Sequence, residues 1–212
     1  MIRILTVLLA LLPWPTLAQE IFPALYDVAG VAADDVLNVR AAPSAEAEIT
    51  GSFAPAETGI EVIALSDDGA WGRVNAGEQA GWTSMRFLAR QPGQTAEDWD
   101  AGFAPMTLAC FGTEPFWTLS IHPGELLDYS ALDFGEGTAQ PGGYTAVVGS
   151  ASTGKRGFFG WLDAEPVGFT GIVSTELCSD GMSDQDYGFA IDLIVSDTDG
   201  DRLAAGCCRL SR

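Results

Sequence analysis

The chain has 212 residues, with 10 Lys and Arg against 29 Asp and Glu, a formal net charge of -19; 47% of residues are hydrophobic and 18% charged. That hydrophobic share excludes a disordered chain. The acidic balance excludes a nucleic-acid partner, because phosphate binding needs clustered Lys and Arg.

Met1 to Ala18 has the layout of a secretory signal peptide. Arg3 precedes an apolar run from Ile4 to Leu12, then the helix breakers Pro13 and Pro15, then Thr16 and Ala18 at the -3 and -1 positions of a cleavage site before Gln19. The run is too short to cross about 30 Å of hydrocarbon. No Cys follows the cleavage site to take a lipid, and no later segment is a transmembrane candidate. The expected location is the periplasm or the exterior. Losing Arg3 takes the net charge from -19 to -20.

From about Tyr26 to Ala89 short apolar stretches are split by turn signals, with no helical period. Val36-Leu37-Asn38-Val39-Arg40 alternates, Ala42-Pro43-Ser44 turns, and Ile60 to Leu65 alternates again. Asp67-Asp68-Gly69 is a hairpin signal, followed by Trp71-Gly72-Arg73-Val74, the turn Asn75-Ala76-Gly77, and Gly81-Trp82-Thr83. Five short strands in about 65 residues suit a small barrel.

The order Leu37-Asn38-Val39-Arg40, Ala42-Pro43-Ser44, Trp71-Gly72-Arg73-Val74, Gly81-Trp82 follows LNVRxxPS…GxWxxV…GW, and residues 26–90 resemble the bacterial SH3 (SH3b) domain. The resemblance implies an SH3-like barrel, within a domain drawn as 19–90, that attaches a protein to cell wall or to a peptide. Leu37, Val39, Val62 and Val74 are expected in its core. Arg40 is a candidate loop tie or ligand contact. Trp71 and Trp82 are candidate groove residues, with burial in the barrel core as the plainer alternative.

Residues 91–104 mix Pro, Gly and acidic side chains and read as a linker with one short helix from Thr95 to Ala101. Thr95 would cap it, and Glu97 and Asp98 suit its first turn.

From residue 105 to 212 the pattern is again β. Candidate strands are Thr107–Phe111, Phe116–Ile121, Leu127–Leu132, Thr145–Gly149, Gly157–Asp163, Gly168–Val173, Phe189–Ser196 and Leu203–Leu210. Eight strands at this spacing suggest a closed up-and-down barrel or a sandwich. All four cysteines, Cys110, Cys178, Cys207 and Cys208, lie here. In an oxidising compartment an even count reads as disulfides. A Cys207–Cys208 bond would be a strained vicinal ring. Adjacent strand residues face opposite sides, so the two would reach different partners.

Gly112-Thr113-Glu114-Pro115-Phe116-Trp117, then Cys178-Ser179-Asp180-Gly181-Met182-Ser183-Asp184 with Tyr187, then Gly206-Cys207-Cys208, resemble a family of uncharacterised bacterial envelope proteins with GTEPFW and CxDGMSD boxes and a terminal GC. The resemblance implies a small lipocalin-like or META-like antiparallel barrel. It places Cys178 and Cys207 on the family's paired positions, so Cys178–Cys207 with Cys110–Cys208 is the expected set. The fold class is therefore all-β: an SH3-like barrel followed by a disulfide-bonded β-barrel.

Several motifs invite chemistry. Pro115 holds Glu114 extended, and Phe116 and Trp117 then point to opposite faces of a strand. Glu114, Asp180 and Asp184 could cluster at a barrel mouth to hold a cation or a basic ligand, with Trp117 beside them; the plainer reading makes the acids turn-fixing acceptors. Gly149 to Arg156 nearly spells a phosphate-binding loop, but Arg156 stands where Ser or Thr is needed and a strand follows. No nucleotide is expected. Asp197 to Asp201 resembles a calcium loop, but Arg202 and Cys208 occupy its essential Gly and Glu positions, so it reads as a hairpin turn. No CxxC occurs, and His122 sits in a Ser-Ile-His-Pro-Gly turn, where an exposed polar His is the expectation. No metal or cofactor is expected. No GxSxG occurs, and disulfide sulfurs cannot attack.

These features describe an exported, non-enzymatic envelope protein whose SH3-like domain binds cell wall or peptide and whose barrel binds another partner. Two alternatives are an acidic inhibitor of a cationic lysozyme, steered by charge, and a peptidoglycan hydrolase using Glu114 and Asp180.

Overall fold

A computed structural model describes residues 22–131, 139–147 and 154–211. The signal-peptide segment and most of the phosphate-loop-like stretch lie outside the described residues. The first half contains β1 (Ala24–Val28), β2 (Leu37–Arg40), β3 (Ile49–Phe53), β4 (Ile60–Val62), β5 (Ala64–Leu65), β6 (Trp71–Ala76), β7 (Gln79–Ser84) and β8 (Leu88–Arg90). They form two sheets, of order β3-β2-β7-β6-β5 and β4-β1-β8. Alternation explains the core: Leu37, Val39, Val62 and Val74 are all buried, as expected of one face of half-buried strands. Gly81 is required by packing, because a Cβ there would strike Val39 and lie 3.0 Å from the Arg40 carbonyl.

The connection carries α1 (Ala96–Asp100), the helix the sequence signals. Thr95 is its N-cap: its hydroxyl accepts from the Asp98 N–H, and the Asp98 carboxylate accepts from the Thr95 N–H at 2.7 Å, a reciprocal capping box.

The second half folds as β9 (Thr107–Thr113), β10 (Phe116–His122), β11 (Leu126–Ala131), β12 (Gln140–Val147), β13 (Lys155–Leu162), β14 (Gly168–Cys178), β15 (Tyr187–Asp197) and β16 (Gly200–Ser211). Each pairs antiparallel with the next, and β16 pairs back onto β9 to close a barrel. Its eight strands correspond to the eight apolar stretches. The closed barrel, rather than a sandwich, follows from the β16–β9 ladder, which leaves no free edge. The interior is packed with Trp117, Tyr129, Tyr144, Phe158, Phe169 and Phe189, all at most 4% exposed. Burying such side chains fully contributes about 1.5–3 kcal/mol each.

Two disulfides join Cys110 to Cys208 and Cys178 to Cys207. Cys110 and Cys208 are directly opposite on β9 and β16. Cys207 takes its separate partner at the end of β14, as the alternation of adjacent residues requires.

The two halves share their packing. Within β1, Ala24, Tyr26 and Val28 enter the SH3-side core, whereas Leu25 joins the barrel core. Gln94 serves β1 as a short extra strand: its Oε1 accepts from the Leu25 N–H at 2.7 Å and its Nε2 donates to the Leu25 carbonyl at 2.9 Å. Trp99 within α1 packs against Phe189, and after α1 Phe103 packs edge-on against Tyr144 and Phe158. Arg156 fastens this plug. Its guanidinium lies 5.0 Å from the Trp99 ring and donates to the carbonyls of Trp99, Gly102 and Phe103 at 2.8–3.1 Å.

Candidate functional site

The Cys178-to-Asp184 box forms the loop between β14 and β15, and it lies between the two halves. The geometry of Asp180 follows from its short side chain, which folds back on the backbone as Asp does in turns. Its Oδ1 accepts from the N–H groups of Met182 and Ser183, both at 2.9 Å, and its Oδ2 accepts from the Ser183 hydroxyl at 2.9 Å. Burial alone would raise its pKa, but the Ser183 and Met182 N–H groups and the Ser183 hydroxyl outweigh it and hold the carboxyl below its usual range. Asp180 thus shapes the turn.

On one side this loop meets the other box. The Thr113 hydroxyl donates to the Asp180 carbonyl at 3.2 Å, and the Phe111 ring meets Tyr187 edge-on with centroids 4.9 Å apart. The β9–β10 hairpin turns at Glu114-Pro115 through a cis peptide bond. Trp117 points inward and is buried, while Phe116 is 53% exposed, as strand alternation requires. Gly112 makes room for the Trp117 indole, since a Cβ there would collide with it. A cleft of about 370 Å³ results, walled by Phe111, Thr113, Phe116, Trp117, Asp180 and Met182. Met182 is 68% exposed at its rim. Two boxes far apart in sequence therefore build one mainly apolar cleft.

On its other side the loop grips the SH3 region. Asp186 pairs with Arg73 at 2.6 Å and exchanges hydrogen bonds with the Asn75 amide. The Asp184 carbonyl accepts from the Ala80 N–H at 2.8 Å, and the Gln185 amide donates to the Gly77 carbonyl at 2.6 Å. Asp184 thereby joins the halves through its backbone, and Glu114 stands exposed at its hairpin turn. Among the described residues no group of three or more His, Cys, Asp or Glu is placed to hold a metal ion; the imagined cluster of Glu114, Asp180 and Asp184 does not assemble as one.

Arg40 donates to the Ala47 carbonyl at 2.7 Å, tying the loop between β2 and β3. Trp71 and Trp82 are half-buried, outside the main SH3-side core. The Arg73 guanidinium lies 5.5 Å from the Trp82 ring centroid.

Two features escape sequence reading. The first is a row across three neighbouring strands: the Thr107 hydroxyl lies 3.0 Å from His122 Nδ1, and His122 Nε2 lies 2.9 Å from Asp128. His122 is therefore partnered on both nitrogens rather than a free turn residue. This row lines neither cleft. The second is a polar cleft of about 470 Å³ at the junction, walled by Glu61, Asn75, Gln91, Gln185, Arg209 and Leu210, among others. Burial pushes the Glu61 carboxyl up to about 7, against the opposing pull of the Leu210 N–H and Arg209.

Residues 35–89 match the bacterial SH3 domain family. No curated protein and no solved structure gives a significant match to the chain.

Proposed function

We propose that this protein is an exported, non-enzymatic component of the cell envelope, docked through its SH3 domain on cell wall or on a wall-associated peptide, with the barrel presenting the Phe116–Met182 cleft to a partner. The observation that carries the reading is the SH3 domain itself, a module suited to wall or peptide binding. Two disulfides, with no free cysteine, suit an oxidising compartment. Among the described residues no helix is long and apolar enough to cross a membrane. The assignment of residues 105–212 to an envelope family rests on the GTEPFW and CxDGMSD boxes. Half-buried Trp71 and Trp82 offer flat apolar surface with little entropy to lose on binding.

The test is sedimentation of the full mature chain with purified peptidoglycan, alongside Trp71→Ala and Trp82→Ala. Retention of the native chain and its reduction in either variant supports the docking reading. Failure of the native chain to sediment removes the wall as the ligand. Fractionation of the producing cell tests export: a mature chain starting at Gln19 in the periplasm or medium supports it, and an intact Met1 in the cytosol overturns it. The net charge of -19 favours a second reading, inhibition of a cationic lysozyme. Lysis rates unchanged by the protein at low salt would remove it.

A further inference from the structure

The junction cleft contains an acceptor that the fold leaves unused. Gln91 is 4% exposed, and its Nε2 donates to the Asp27 carboxylate. That contact sets the amide's orientation, with Asp27 Oδ1 accepting from the Gly59 N–H as well. Gln91 Oε1 is consequently set in place, buried, and without a hydrogen-bond partner among the described residues. A buried carbonyl oxygen of this kind costs free energy until a donor meets it.

Two charged side chains share the cleft with it. Glu61, from β4, uses one carboxylate oxygen to accept from the Leu210 N–H at 2.9 Å. Arg209, the residue before Leu210 on β16, is exposed and sits close enough to favour the ionised form of Glu61. The amides of Asn75 and Gln185 are committed to Asp186, Gly77 and Tyr187. Besides the hydroxyl side chains of Thr58 and Ser211, the remaining polar groups of the cleft's lining are two acceptors, Gln91 Oε1 and Glu61, and one cationic donor, Arg209.

This set discriminates. A plain cation would meet Glu61 and Gln91 but be repelled by Arg209, and a plain anion would meet Arg209 but be repelled by Glu61. A molecule carrying both charges satisfies all three groups. The cleft volume of about 470 Å³ falls within the roughly 300–1,000 Å³ of small-molecule sites, which favour domain junctions. We propose that this cleft binds an amino-acid zwitterion, free or as a very short peptide, with its ammonium on Glu61 and Gln91 Oε1 and its carboxylate on Arg209. This site is separate from the SH3 aromatic residues and does not depend on wall docking.

The experiment is calorimetric titration of the full mature chain at about pH 8, where Glu61 carries its charge, with alanine, dialanine, ethylamine and acetate as probes. Saturable binding of alanine or dialanine, at least about tenfold tighter than ethylamine or acetate, is the expected result. The tighter of the two identifies a free amino acid or a peptide as the source. Glu61→Gln keeps the acceptor for Leu210 yet removes the charge, and exposed Arg209→Gln leaves the core intact; each is expected to weaken binding about tenfold or more. Absence of saturable binding by both alanine and dialanine overturns the proposal. So does ethylamine binding as tightly as alanine, or affinity unchanged in both variants. Peptidoglycan sedimentation of the same variants reports wall docking separately.

Discussion

The SH3-side core is built from Ala24, Val28, Leu37, Val39, Ile60, Val62 and Val74 with two aromatics, Tyr26 and Phe53, and has no covalent tie. The barrel core mixes aliphatic residues such as Leu108, Leu119, Ile191 and Leu193 with many more aromatics than the SH3 side has, takes in Trp99 and Phe103 from the connecting segment, and contains the Cys110–Cys208 bond. Both halves close over long sequence separations, β8 returning to β1 and β16 to β9, and closure entropy grows only slowly with loop length. The difference between them is therefore not the closure itself but that the barrel alone adds a crosslink and a heavy aromatic filling.

Four tests, the first a pair of double variants, bear on that contrast, from strong to weak. Replacing both Cys110 and Cys208 by Ala removes a link spanning 98 residues and should cost about 5 kcal/mol in the chain-entropy treatment. Removing Cys178 and Cys207, separated by 29, should cost about 3.5 kcal/mol. Denaturant titrations of the two double variants measure the difference, and equal losses would show that loop closure is not what the inner bond supplies. Next, Trp99→Ala should cost about 3–5 kcal/mol and be felt first by the barrel, since Trp99 packs on Phe189 and under Arg156; near-ultraviolet circular dichroism with urea follows it.

A third test concerns pH. Burial raises Glu61 from 4.5 to about 7, so the folded state holds this proton more tightly than the unfolded one. Its contribution is full below about pH 4.5 and is lost as pH rises through 7. The native chain should therefore lose up to about 3 kcal/mol relative to Glu61→Gln between acid and mildly alkaline pH, read as the difference between their urea midpoints along the pH series. A flat difference would show that Glu61 is open to water. The smallest effect is Arg73→Gln. It breaks a half-buried ion pair to Asp186, should cost about 1 kcal/mol, and should shift amide resonances of the loop ending at Asp186 while leaving those of β12 and β13 in place.

Much of this architecture was legible in the chain. Each of the eight barrel strands is marked by a short apolar stretch among Gly and Pro turns, with clear alternation in Phe116–Ile121 and Phe189–Ile194. The capping pattern of Thr95 and Asp98 marks α1, and the adjacency of Cys207 and Cys208 dictates partners on opposite faces. β1 was not legible: in Ala24-Leu25-Tyr26-Asp27-Val28 neighbouring residues are buried against different halves, which erases the period-two contrast. The junction cleft was hidden for a related reason. In Ile60-Glu61-Val62, Glu61 occupies the outward position of an ordinary strand, and only the arrival of β16 encloses it. The box loop was recognisable as a unit, but its role as a clasp depends on which distant partners the Asp186 carboxylate, the Gln185 amide and the Asp184 carbonyl meet, which residue type does not encode.

The two-faced burial of β1 also bears on vectorial synthesis. A chain emerging from its beginning can shelter Tyr26 and Val28 once β8 exists, but Leu25 shares its hydrophobic cluster with Leu210, nearly two hundred residues later. Until β16 has been delivered, an apolar side chain stays uncovered on an otherwise finished module. A nascent or truncated chain lacking that strand therefore leaves the barrel open between β15 and β9 as well as Leu25 uncovered.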